Sequence, residues 1–541
     1  MTNNDIVQKL WNLCDVLRDD GINYSDYVTE LVLLLFIKME FENAESGLLT
    51  KHKLPEGCRW PDLNRKSGIN LLNEYKRILL TLSTGKDADD NTVITDQLIL
   101  AIYVDAQTRL REPRHLEQLI KTLDGIDWFS AKKDGLGDLY EGLLEKNAGE
   151  TKSGAGQYFT PRALIDSMIR CIKPQAGETV QDPSAGTAGF LIAADAYIKK
   201  ATDDYFDLNA KQKKFQVNNA FIGMELVPST RRLALMNCLL HGMEGDQEGV
   251  VHQGNTLGNE GAALPKVNVI LANPPFGTAK GGGGSTRDDL TFATGNKQLS
   301  FLQHIYRALE PGGRAAVVLP DNVLFEAGVG TQIRKDLMDK CNLHTILRLP
   351  TGIFYAAGVK TNVLFFTKGT AKKPQQETDC TQNTWVYDLR SNMPNFGKRT
   401  VFGENYLTPF ETLFGKKADG TSKRAEGCWA FTESDSEESD AQGGASVAGD
   451  RMSEATSRWR CFTREQITER GDSLDISWIK DDDVVDAADL PEPEVLAGEA
   501  MGELTEALRE LSELMEALGG HDEAEAQKTL LTEVLGLGGE G

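Results

Sequence analysis

Four consecutive residues, Asn273, Pro274, Pro275 and Phe276, combine a polar amide, two rigid prolines and an aromatic ring. They follow the apolar run Val267–Ala272, which is typical of a buried strand, and ligand sites of open α/β sheets lie outside the carboxyl ends of strands. Proline fixes φ at about −65° and ends the strand ladder, so the amide and a free carbonyl are held in one pose. Such a set suits a planar group that carries an NH2. A plain Asn-Pro turn is the alternative interpretation.

A second polar cluster, from Asp182 to Gly189, follows a short strand pattern. Its glycines Gly186 and Gly189 allow a ligand to approach the backbone of the turn. Glu225 ends the next strand pattern about forty residues later, where dinucleotide folds place the acid that binds ribose hydroxyls. The turn lacks the lysine of a phosphate-binding P-loop, which disfavours ATP. We therefore expect a nucleoside without a triphosphate; a solvated carboxylate at a strand end is the alternative for Glu225.

A glycine-containing segment from Gly154 leads into two aromatic residues, Tyr158 and Phe159. Thr160 is predicted to be the N-cap of the following helix, with Pro161 at its first position. A helix N-terminus beside exposed aromatic rings can hold a carboxylate and stack on a flat ring. The segment is therefore a candidate for the same ligand site, and an ordinary capped helix is the alternative.

The elements that must position these residues predict an α/β fold. From residue 154 to residue 369, strand and helix patterns alternate, which indicates a mostly parallel sheet covered on both faces, with right-handed crossovers. Before it, apolar residues recur at helical spacing and strand patterns are scarce. We predict an all-α N-terminal domain over residues 1–147, a Rossmann-like domain over 148–370, its extension over 371–430, an acidic low-complexity linker over 431–456 and a C-terminal segment over 457–541.

The C-terminal segment contains a regular apolar repeat. From Ala497 to Leu518, apolar residues recur at alternating four- and three-residue steps, which predicts a long helix with an a/d seam, and Gly519 and Gly520 end it. Such a helical tail requires a partner helix. The partner is either residues 524–535 of the same chain or a helix of another subunit.

Negative charge is concentrated in the last fifth of the chain. The protein has 541 residues and a net charge of −23, and 29 acidic and 8 basic residues lie in residues 431–541. Of the totals of 81 and 58, this leaves 52 acidic and 50 basic residues in the preceding part. A nearly neutral body allows a local basic groove, whereas the acidic end should repel DNA phosphates and is expected to face solvent or a protein.

Several classes of protein are disfavoured. No run of about 18 apolar residues predicts a membrane span, so no membrane partner is expected, and the N-terminus lacks the features of a signal peptide. The eight cysteines are scattered and the seven histidines form no metal-binding pattern. These features favour a cytoplasmic protein without a metal site.

Several motifs of this chain resemble those of S-adenosylmethionine-dependent amino-methyltransferases: residues 182–190, 223–226 and 273–276. Residues 156–162, 254–257 and 349–354 narrow the resemblance to the modification (M) subunit of type I restriction–modification systems, closest to the enterobacterial K-type branch. The resemblance covers nearly the whole chain. Ser184 and Ala188 depart from it, because many relatives carry alanine and glycine there; both residues are small enough to keep the turn.

The resemblance implies a role for each motif. The site would bind S-adenosyl-L-methionine through the residues Gln157, Tyr158, Phe159, Thr160, Pro161, Arg162, Gly186, Thr187, Ala188 and Gly189. Glu225 would bind the ribose hydroxyls, and Asp182 would shape the methionine end. The Asn273 amide oxygen and the Pro274 carbonyl would accept the two hydrogens of adenine N6. Pro275 completes the rigid motif, and Phe276 would stack on a base flipped out of the duplex.

The function implied is transfer of a methyl group to N6 of adenine in double-stranded DNA. A separate specificity subunit would choose the site, a second copy of the M subunit would complete the modification complex, and a restriction subunit would join the full complex. The sequence has no Pro-Cys dipeptide, which disfavours C5-cytosine chemistry. Residues 277–297, with Lys280, Arg287 and Lys297, would form a DNA-facing loop, or else a passive insertion. Methylation of RNA or of protein glutamine, and a non-catalytic scaffold, remain as alternatives.

Overall fold

The computed structural model describes residues 3–22, 26–45, 52–126, 128, 140–144, 160–276, 287–354, 359–394, 396–397, 400–425 and 457–479. Some predicted features lie outside these residues. They are Gln157, Tyr158, Phe159, the glycine-rich part of the 277–297 loop, the linker 431–456 and the heptad helix, and they stay predictions from sequence.

Helices dominate the described N-terminal region, as predicted. Their bounds are Asn3–Asn12, Cys14–Asp19, Tyr27–Glu45, Trp60–Asn64, Gly68–Thr84, Gln97–Tyr103 and Pro113–Asp124. The helix Tyr27–Glu45 is buried on nearly every side, including an unbroken run from Leu31 to Glu40. A helix buried on nearly every side belongs in a core, and the helices Cys14–Asp19, Trp60–Asn64 and Pro228–Leu240 pack against it.

The helical region is anchored to the helix Pro228–Leu240, which begins shortly after Glu225. The Arg232 guanidinium donates to the carbonyl oxygens of Ile102, at 2.8 Å, and of Val104, which lie at the carboxyl end of the helix Gln97–Tyr103. Carbonyls at this end of a helix lack intrahelical partners and attract cations. The N-terminal region is thereby fixed beside the strand that carries Glu225.

The described residues include nine strands: β1 (Val180–Asp182), β2 (Phe221–Glu225), β3 (Val251–Gln253), β4 (Val267–Ala272), β5 (Leu309–Pro320), β6 (Cys341–Arg348), β7 (Thr361–Lys368), β8 (Asn383–Asp388) and β9 (Trp459–Thr463). They form one sheet with the order β3-β2-β1-β4-β5-β7-β6-β8-β9. Strands β3, β2, β1, β4 and β5 run parallel to one another, and β6 is parallel to β8, whereas β7 is antiparallel to both β5 and β6, and β9 is antiparallel to β8. The described residues between β6 and β7, 349–354 and 359–360, form no helix, and antiparallel neighbours need no crossover helix.

Helices cover both faces of this sheet, as predicted. Successive β4 residues enter two different cores: Val269 and Leu271 pack into one, and Ile270 and Ala272 into the other. None of the described helices has the length and apolar character of a membrane span. The helices are Arg162–Ile172, Gly189–Ala201, Ala210–Asn218, Pro228–Leu240, Asn259–Ala262, Lys297–Ala308, Asp321–Phe325, Val329–Lys340, Thr408–Phe414 and Arg464–Glu469, with a 3-10 turn at Glu404–Tyr406.

The sheet topology creates a crevice between β1 and β4. From β1 the sheet continues to β2 and β3 on one side, and from β4 to β5 on the other. Open α/β sheets bind ligands at such a switch point, outside the carboxyl ends of the strands. The register pairs Gln181 with Ile270 and Asp182 with Gly223, so the ends of β1, β2 and β4 lie together. We call these three strand ends the ligand edge.

Residues 457–479 complete the sheet at its far side. Strand β9 pairs with β8, and the Arg334 guanidinium donates to the carbonyl of Asp472 at 2.8 Å. The Arg458 guanidinium donates to the carbonyls of Asp388 and Ser391 at 3.0 and 2.7 Å. The sheet therefore extends beyond residue 457, where the sequence placed the start of the C-terminal segment.

Candidate active site

The turn after β1 is fastened to the end of β2. The Ala185 amide donates to the carbonyl of Met224 at 2.9 Å, and the Gly186 amide donates to Oε2 of Glu225 at 3.0 Å. The Ser184 amide donates to Oδ1 of Asp182 at 3.0 Å. The predicted cofactor residues Asp182, Gly186 and Glu225 therefore form one connected unit, which we call the cofactor turn.

Glu225 is buried, and its second oxygen accepts a hydrogen bond from the Val227 amide at 2.8 Å. Burial raises the pKa of this carboxyl, and the backbone hydrogen bonds partly counter that effect. A carboxylate oxygen can accept more than one hydrogen bond, so both oxygens keep capacity for ligand hydroxyls. Leu226 belongs to the 223–226 motif, but the sequence predicts no role for it. It is 61% exposed next to Glu225 and offers an apolar face at the ligand edge.

Asp182 is 1% exposed. Burial raises the pKa of its carboxyl to about 7, and the charge of Glu225 adds to this effect, whereas the hydrogen bonds from Ser184 oppose it. The Asp182 carboxyl therefore gains and loses its proton near neutral pH, and not in the acidic range of an ordinary aspartate. A positive group placed beside it would favour loss of that proton.

The positions of the turn hold small residues for different structural reasons. Gly186 has a φ of +55°, and a Cβ added there would meet no atom within 4 Å, so open space lies outside the turn. A Cβ at Gly189 would approach Ile165 at 3.3 Å, so glycine serves close packing there. Ala188 is buried with a φ of +69°, in the left-handed region, at the start of the helix Gly189–Ala201. The carbonyl of Thr187 accepts from Nδ2 of Asn237 at 3.0 Å.

Asn273 directly follows β4 at the ligand edge. Its Nδ2 donates to Oγ1 of Thr160 at 2.9 Å. This hydrogen bond orients the amide, because the nitrogen faces Thr160 and the oxygen must face the other way. An amide pinned in this way presents an acceptor oxygen in a fixed direction.

The predicted cap at Thr160 is wrong by one residue. The helix begins at Arg162, Pro161 occupies the N-cap position, and no side chain caps it. Pro161 has an extended conformation, with a ψ of 135°, so it cannot be the first helical residue. The hydroxyl of buried Thr160 is thereby available to Asn273, a role that sequence did not reveal.

Pro275 and Phe276 are held from two distant elements. The carbonyl of Pro275 accepts from Nε2 of Gln298, at the start of the helix Lys297–Ala308, over 3.1 Å. The rings of Phe276 and buried Phe354 meet edge to face, with centroids 6.1 Å apart and planes at 74°. Phe354 belongs to the 349–354 motif, but its contact with Phe276 depends on the fold. Thr160, Gln298 and Phe354 thus surround the four residues Asn273–Phe276, which we call the target motif.

Arg162, predicted to line the cofactor pocket, has its guanidinium engaged by protein carboxylates. Nη1 donates to Oε2 of Glu141 at 2.6 Å, and Nε pairs with Asp166 at 3.1 Å. These contacts tie the segment 140–144 to the helix Arg162–Ile172. The structure therefore places Thr160 next to the target motif and gives Arg162 a visible structural role.

The expectation that Arg287 faces DNA is wrong. Its side chain is 5% exposed, and Nη1 lies 3.0 Å from the carbonyl of Thr256 and 3.1 Å from Nδ1 of His304. The guanidinium also pairs with Asp289. Burial, together with the charge of Arg287, lowers the pKa of His304 to about 3, so this imidazole is neutral and its Nδ1 acts as the acceptor. A basic residue in a loop is expected to be exposed, but Arg287 is buried and its guanidinium bonds to Thr256 and His304.

Comparison with known families covers most of the chain. Residues 131–443 match the N-6 DNA Methylase family. Residues 6–123 match the HsdM N-terminal domain, and residues 490–533 match the C-terminal domain of type I restriction enzyme methylase subunits.

Two curated relatives align over the full length. The chain is 54% identical, over 545 aligned residues, to the type I restriction enzyme EcoKI methylase subunit of Escherichia coli K12. The same identity holds for the type I restriction enzyme StySJI methylase subunit of Salmonella typhimurium LT2. Both alignments cover 99% of this chain and 99% of the relative.

Solved structures share the architecture. The crystal structure of the type I restriction enzyme EcoKI M protein matches with a TM-score of 0.56 and 49% identity, over 98% of this chain and 99% of that one. A chain from a study of complex assembly and conformational transition in a type I system matches with a TM-score of 0.65 and 24% identity, over 96% and 99% of the two chains. The second likeness supports the fold alone.

Proposed function

This chain belongs to the methylase subunits of type I restriction enzymes, and from that premise we propose how its ligand edge carries out methyl transfer. The reaction is transfer of a methyl group from S-adenosylmethionine to N6 of adenine in DNA. The observation that carries the proposal is the Asn273 amide, oriented by Thr160 across the crevice from the cofactor turn. The edge thus pairs an acceptor for an amine with a cradle for a nucleoside.

The residues of the cofactor turn fit S-adenosylmethionine. When bound, this cofactor supplies an electrophilic methyl group on a sulfonium sulfur. The open space beside Gly186 gives room for a ligand, and the buried carboxylate of Glu225 would bind ribose hydroxyls. Exposed Leu226 would cover one face of the adenine, and Asp182 would face the methionine end, where its carboxylate suits a cationic group. Thr187, Ala188 and Gly189 would shape the turn. The family resemblance adds Gln157, Tyr158, Phe159, Pro161 and Arg162 as further candidates for the cofactor pocket.

The target motif would bind the exocyclic amine of adenine. Its two acceptors, Oδ1 of Asn273 and the carbonyl oxygen of Pro274, would each accept one N6 hydrogen. The lone pair of an aromatic amine is delocalised into the ring, and two acceptors on its hydrogens favour a pyramidal, more nucleophilic nitrogen. Most of the rate gain would come from positioning and from fixed dipoles. As N6 takes the methyl group, the bond from that carbon to sulfur would break and its electron pair would stay on sulfur. The methylated N6 would then be positively charged and strongly acidic, so one of its protons would pass to water and no strong general base is needed.

Phe276 would stack on the target base once it has left the duplex. A base inside a duplex cannot reach such a crevice, so it must be flipped out. The edge-to-face contact from Phe354 would hold the Phe276 ring in one orientation. Stacking then fixes the plane of the base relative to Asn273 and Pro274.

We further propose that the chain acts in the cytoplasm within a complex. It would need a separate specificity subunit to choose the DNA site, a second methylase subunit, and a restriction subunit for cleavage. The apolar seam between Ala497 and Leu518 is the candidate docking helix. Deleting the residues after Pro491 should abolish co-purification with the specificity subunit and leave S-adenosylmethionine binding intact. Retained assembly would contradict this assignment.

One assay tests the proposed reaction. Tritiated S-adenosylmethionine is supplied with duplex DNA, RNA or protein, with and without the specificity subunit, and labelled DNA is digested to nucleosides. We expect label in N6-methyladenine only, and only when the specificity subunit is present. Label confined to RNA or protein would refute the DNA reaction, and no label on any substrate would favour a non-catalytic scaffold.

A further inference from the structure

We propose that Gln298 is a positioning residue of the target motif, an assignment that rests on the function proposed above. Its Nε2 donates to the carbonyl of Pro275 over 3.1 Å, and the residue is 2% exposed. Gln298 stands well after the motif in sequence and carries no recognisable signature. Only the fold brings it to the ligand edge.

The target motif needs an external anchor because of its two prolines. Pro274 and Pro275 have no backbone N–H, so the chain cannot be held by donating hydrogen bonds there. Its carbonyls are the remaining polar groups of the backbone. Because the ring fixes φ of Pro275, ψ of this residue is the one soft torsion between its anchored carbonyl and the preceding peptide group, which carries the acceptor oxygen of Pro274. Gln298 thus restrains the direction of that acceptor through the backbone.

Gln298 is itself rigidly held. It lies in the first turn of the helix Lys297–Ala308, and its backbone amide donates to Oδ1 of the N-cap Asn296 at 3.0 Å. Nδ2 of Asn296 donates to Oε2 of Glu326 at 2.6 Å, which ties the cap to the end of the helix Asp321–Phe325. A side chain on a capped, buried helix start is a more precise anchor than a loop residue.

The same helix offers a matched control. Gln303 is fully buried; its Nε2 donates to the carbonyl of Phe292 at 2.8 Å, and its Oε1 accepts from the Phe292 amide at 3.0 Å. Both glutamines are buried and bond to backbone groups of the preceding segment. Of the contacts described for these two glutamines, only that of Gln298 reaches the target motif. A general effect of losing a buried glutamine would therefore appear in variants of both residues.

The first experiment uses the full chain with its specificity subunit and unmethylated genomic DNA. Single-turnover transfer of tritiated methyl is measured at saturating S-adenosylmethionine. Gln298→Leu should lower the rate by roughly 10- to 100-fold, because small displacements of reacting groups are costly, and should leave the Kd for S-adenosylmethionine within about twofold. Gln303→Leu should lower the melting temperature without that loss of rate. Equal rates for the two variants would overturn the assignment.

A second variant gives a readout that a purely structural role would not produce. In Gln298→Glu, the ionised carboxylate has no hydrogen to donate to Pro275, whereas the protonated acid has one. Burial raises the pKa of such a carboxyl. The ratio of the variant rate to the wild-type rate should therefore rise as the pH falls, and a flat ratio would contradict the proposal. Failure of the wild type to label DNA would instead refute the proposed function itself.

Discussion

The cofactor turn and the target motif lie side by side at the ligand edge but are held in opposite ways. The cofactor turn is fixed through its own backbone amides: Ser184 donates to the carboxyl group of Asp182, and Gly186 donates to that of Glu225 on the adjacent strand. The target motif has no backbone amide at its two prolines and is fixed by the side chains of Thr160 and Gln298. A turn rich in N–H groups can fasten itself by donating to carboxyl groups, whereas a motif with two prolines depends on side chains that other elements bring to it.

The largest effect should follow removal of the Asn273 amide. Asn273→Ala deletes one of the two proposed acceptors for N6 and should lower single-turnover methyl transfer by roughly 1,000-fold, as for other preorganised polar groups at a reacting centre. Binding of S-adenosylmethionine, followed by calorimetry, should be nearly unchanged. Asn268 on β4, the strand that Asn273 follows, is the control; its Oδ1 accepts from the Thr179 amide at 2.9 Å. Asn268→Ala should lower the free energy of unfolding without lowering the rate of methyl transfer. An Asn273→Ala enzyme that keeps its rate would contradict the proposed role of Asn273.

The long-range support of the target motif can be tested at Thr160. Thr160→Val keeps the shape of the side chain but removes the acceptor for Nδ2 of Asn273. The rate should fall by about 10- to 100-fold because the amide can now rotate. Thr384→Val, which removes another buried hydroxyl bonded to the carbonyl of Leu343, should keep its rate. If Thr160→Val changes the Kd for S-adenosylmethionine and leaves the rate unchanged, Thr160 acts in the cofactor pocket and does not position Asn273.

Changes in the cofactor turn should alter the affinity for S-adenosylmethionine. Glu225→Gln places an NH2 group against the amide of Gly186 or of Val227, both of which are donors. The Kd for S-adenosylmethionine should rise by about 10- to 100-fold, the usual cost of losing a charged hydrogen-bond acceptor. Glu248→Gln, at a carboxylate that is 69% exposed, removes the same charge and should leave the Kd unchanged. An unchanged Kd in Glu225→Gln would place the ribose elsewhere.

Asp182 should make both stability and cofactor binding depend on pH. Because the pKa in the folded protein is raised to about 7, the folded state holds a proton that the unfolded chain has already released. The stabilisation is present at low pH and is lost as the pH rises through about 7. Binding of the cationic cofactor favours the ionised form, so its affinity should increase over the same window. Denaturation and calorimetry between pH 5 and 8 should show both trends in the wild type and neither in Asp182→Asn.

The smallest effect should come from filling the space beside the turn. Gly186→Ala adds a methyl group at a φ of +55°, which should cost roughly 1–2 kcal/mol of stability, and should modestly weaken S-adenosylmethionine binding. Gly471 has a φ of +67° and equally open surroundings, but it lies outside the ligand edge. Gly471→Ala should show the same loss of stability in chemical denaturation with no change in affinity. Equal affinities for the two variants would mean that the space beside Gly186 is not used.

The same contrast explains what could be predicted from sequence. Asp182, Glu225 and Asn273 were predictable because polar residues at the ends of parallel strands must meet at one edge. The bonds of Gln298 and Thr160 were not, because they depend on where distant helices begin relative to β4. The burial of Arg287 was not predictable, because the charge of a loop residue does not reveal whether its side chain is exposed. The antiparallel direction of β7 was not predictable either, because the periodicity of apolar residues does not report the direction of a strand.

The most direct test compares Asn273→Ala with Glu225→Gln in single turnover as the concentration of S-adenosylmethionine is raised to saturation. If the two parts of the ligand edge divide the work as proposed, Glu225→Gln recovers to within a few-fold of the wild-type rate, whereas Asn273→Ala stays inactive. If both variants recover, or neither does, the division between a cofactor turn and a target motif is contradicted.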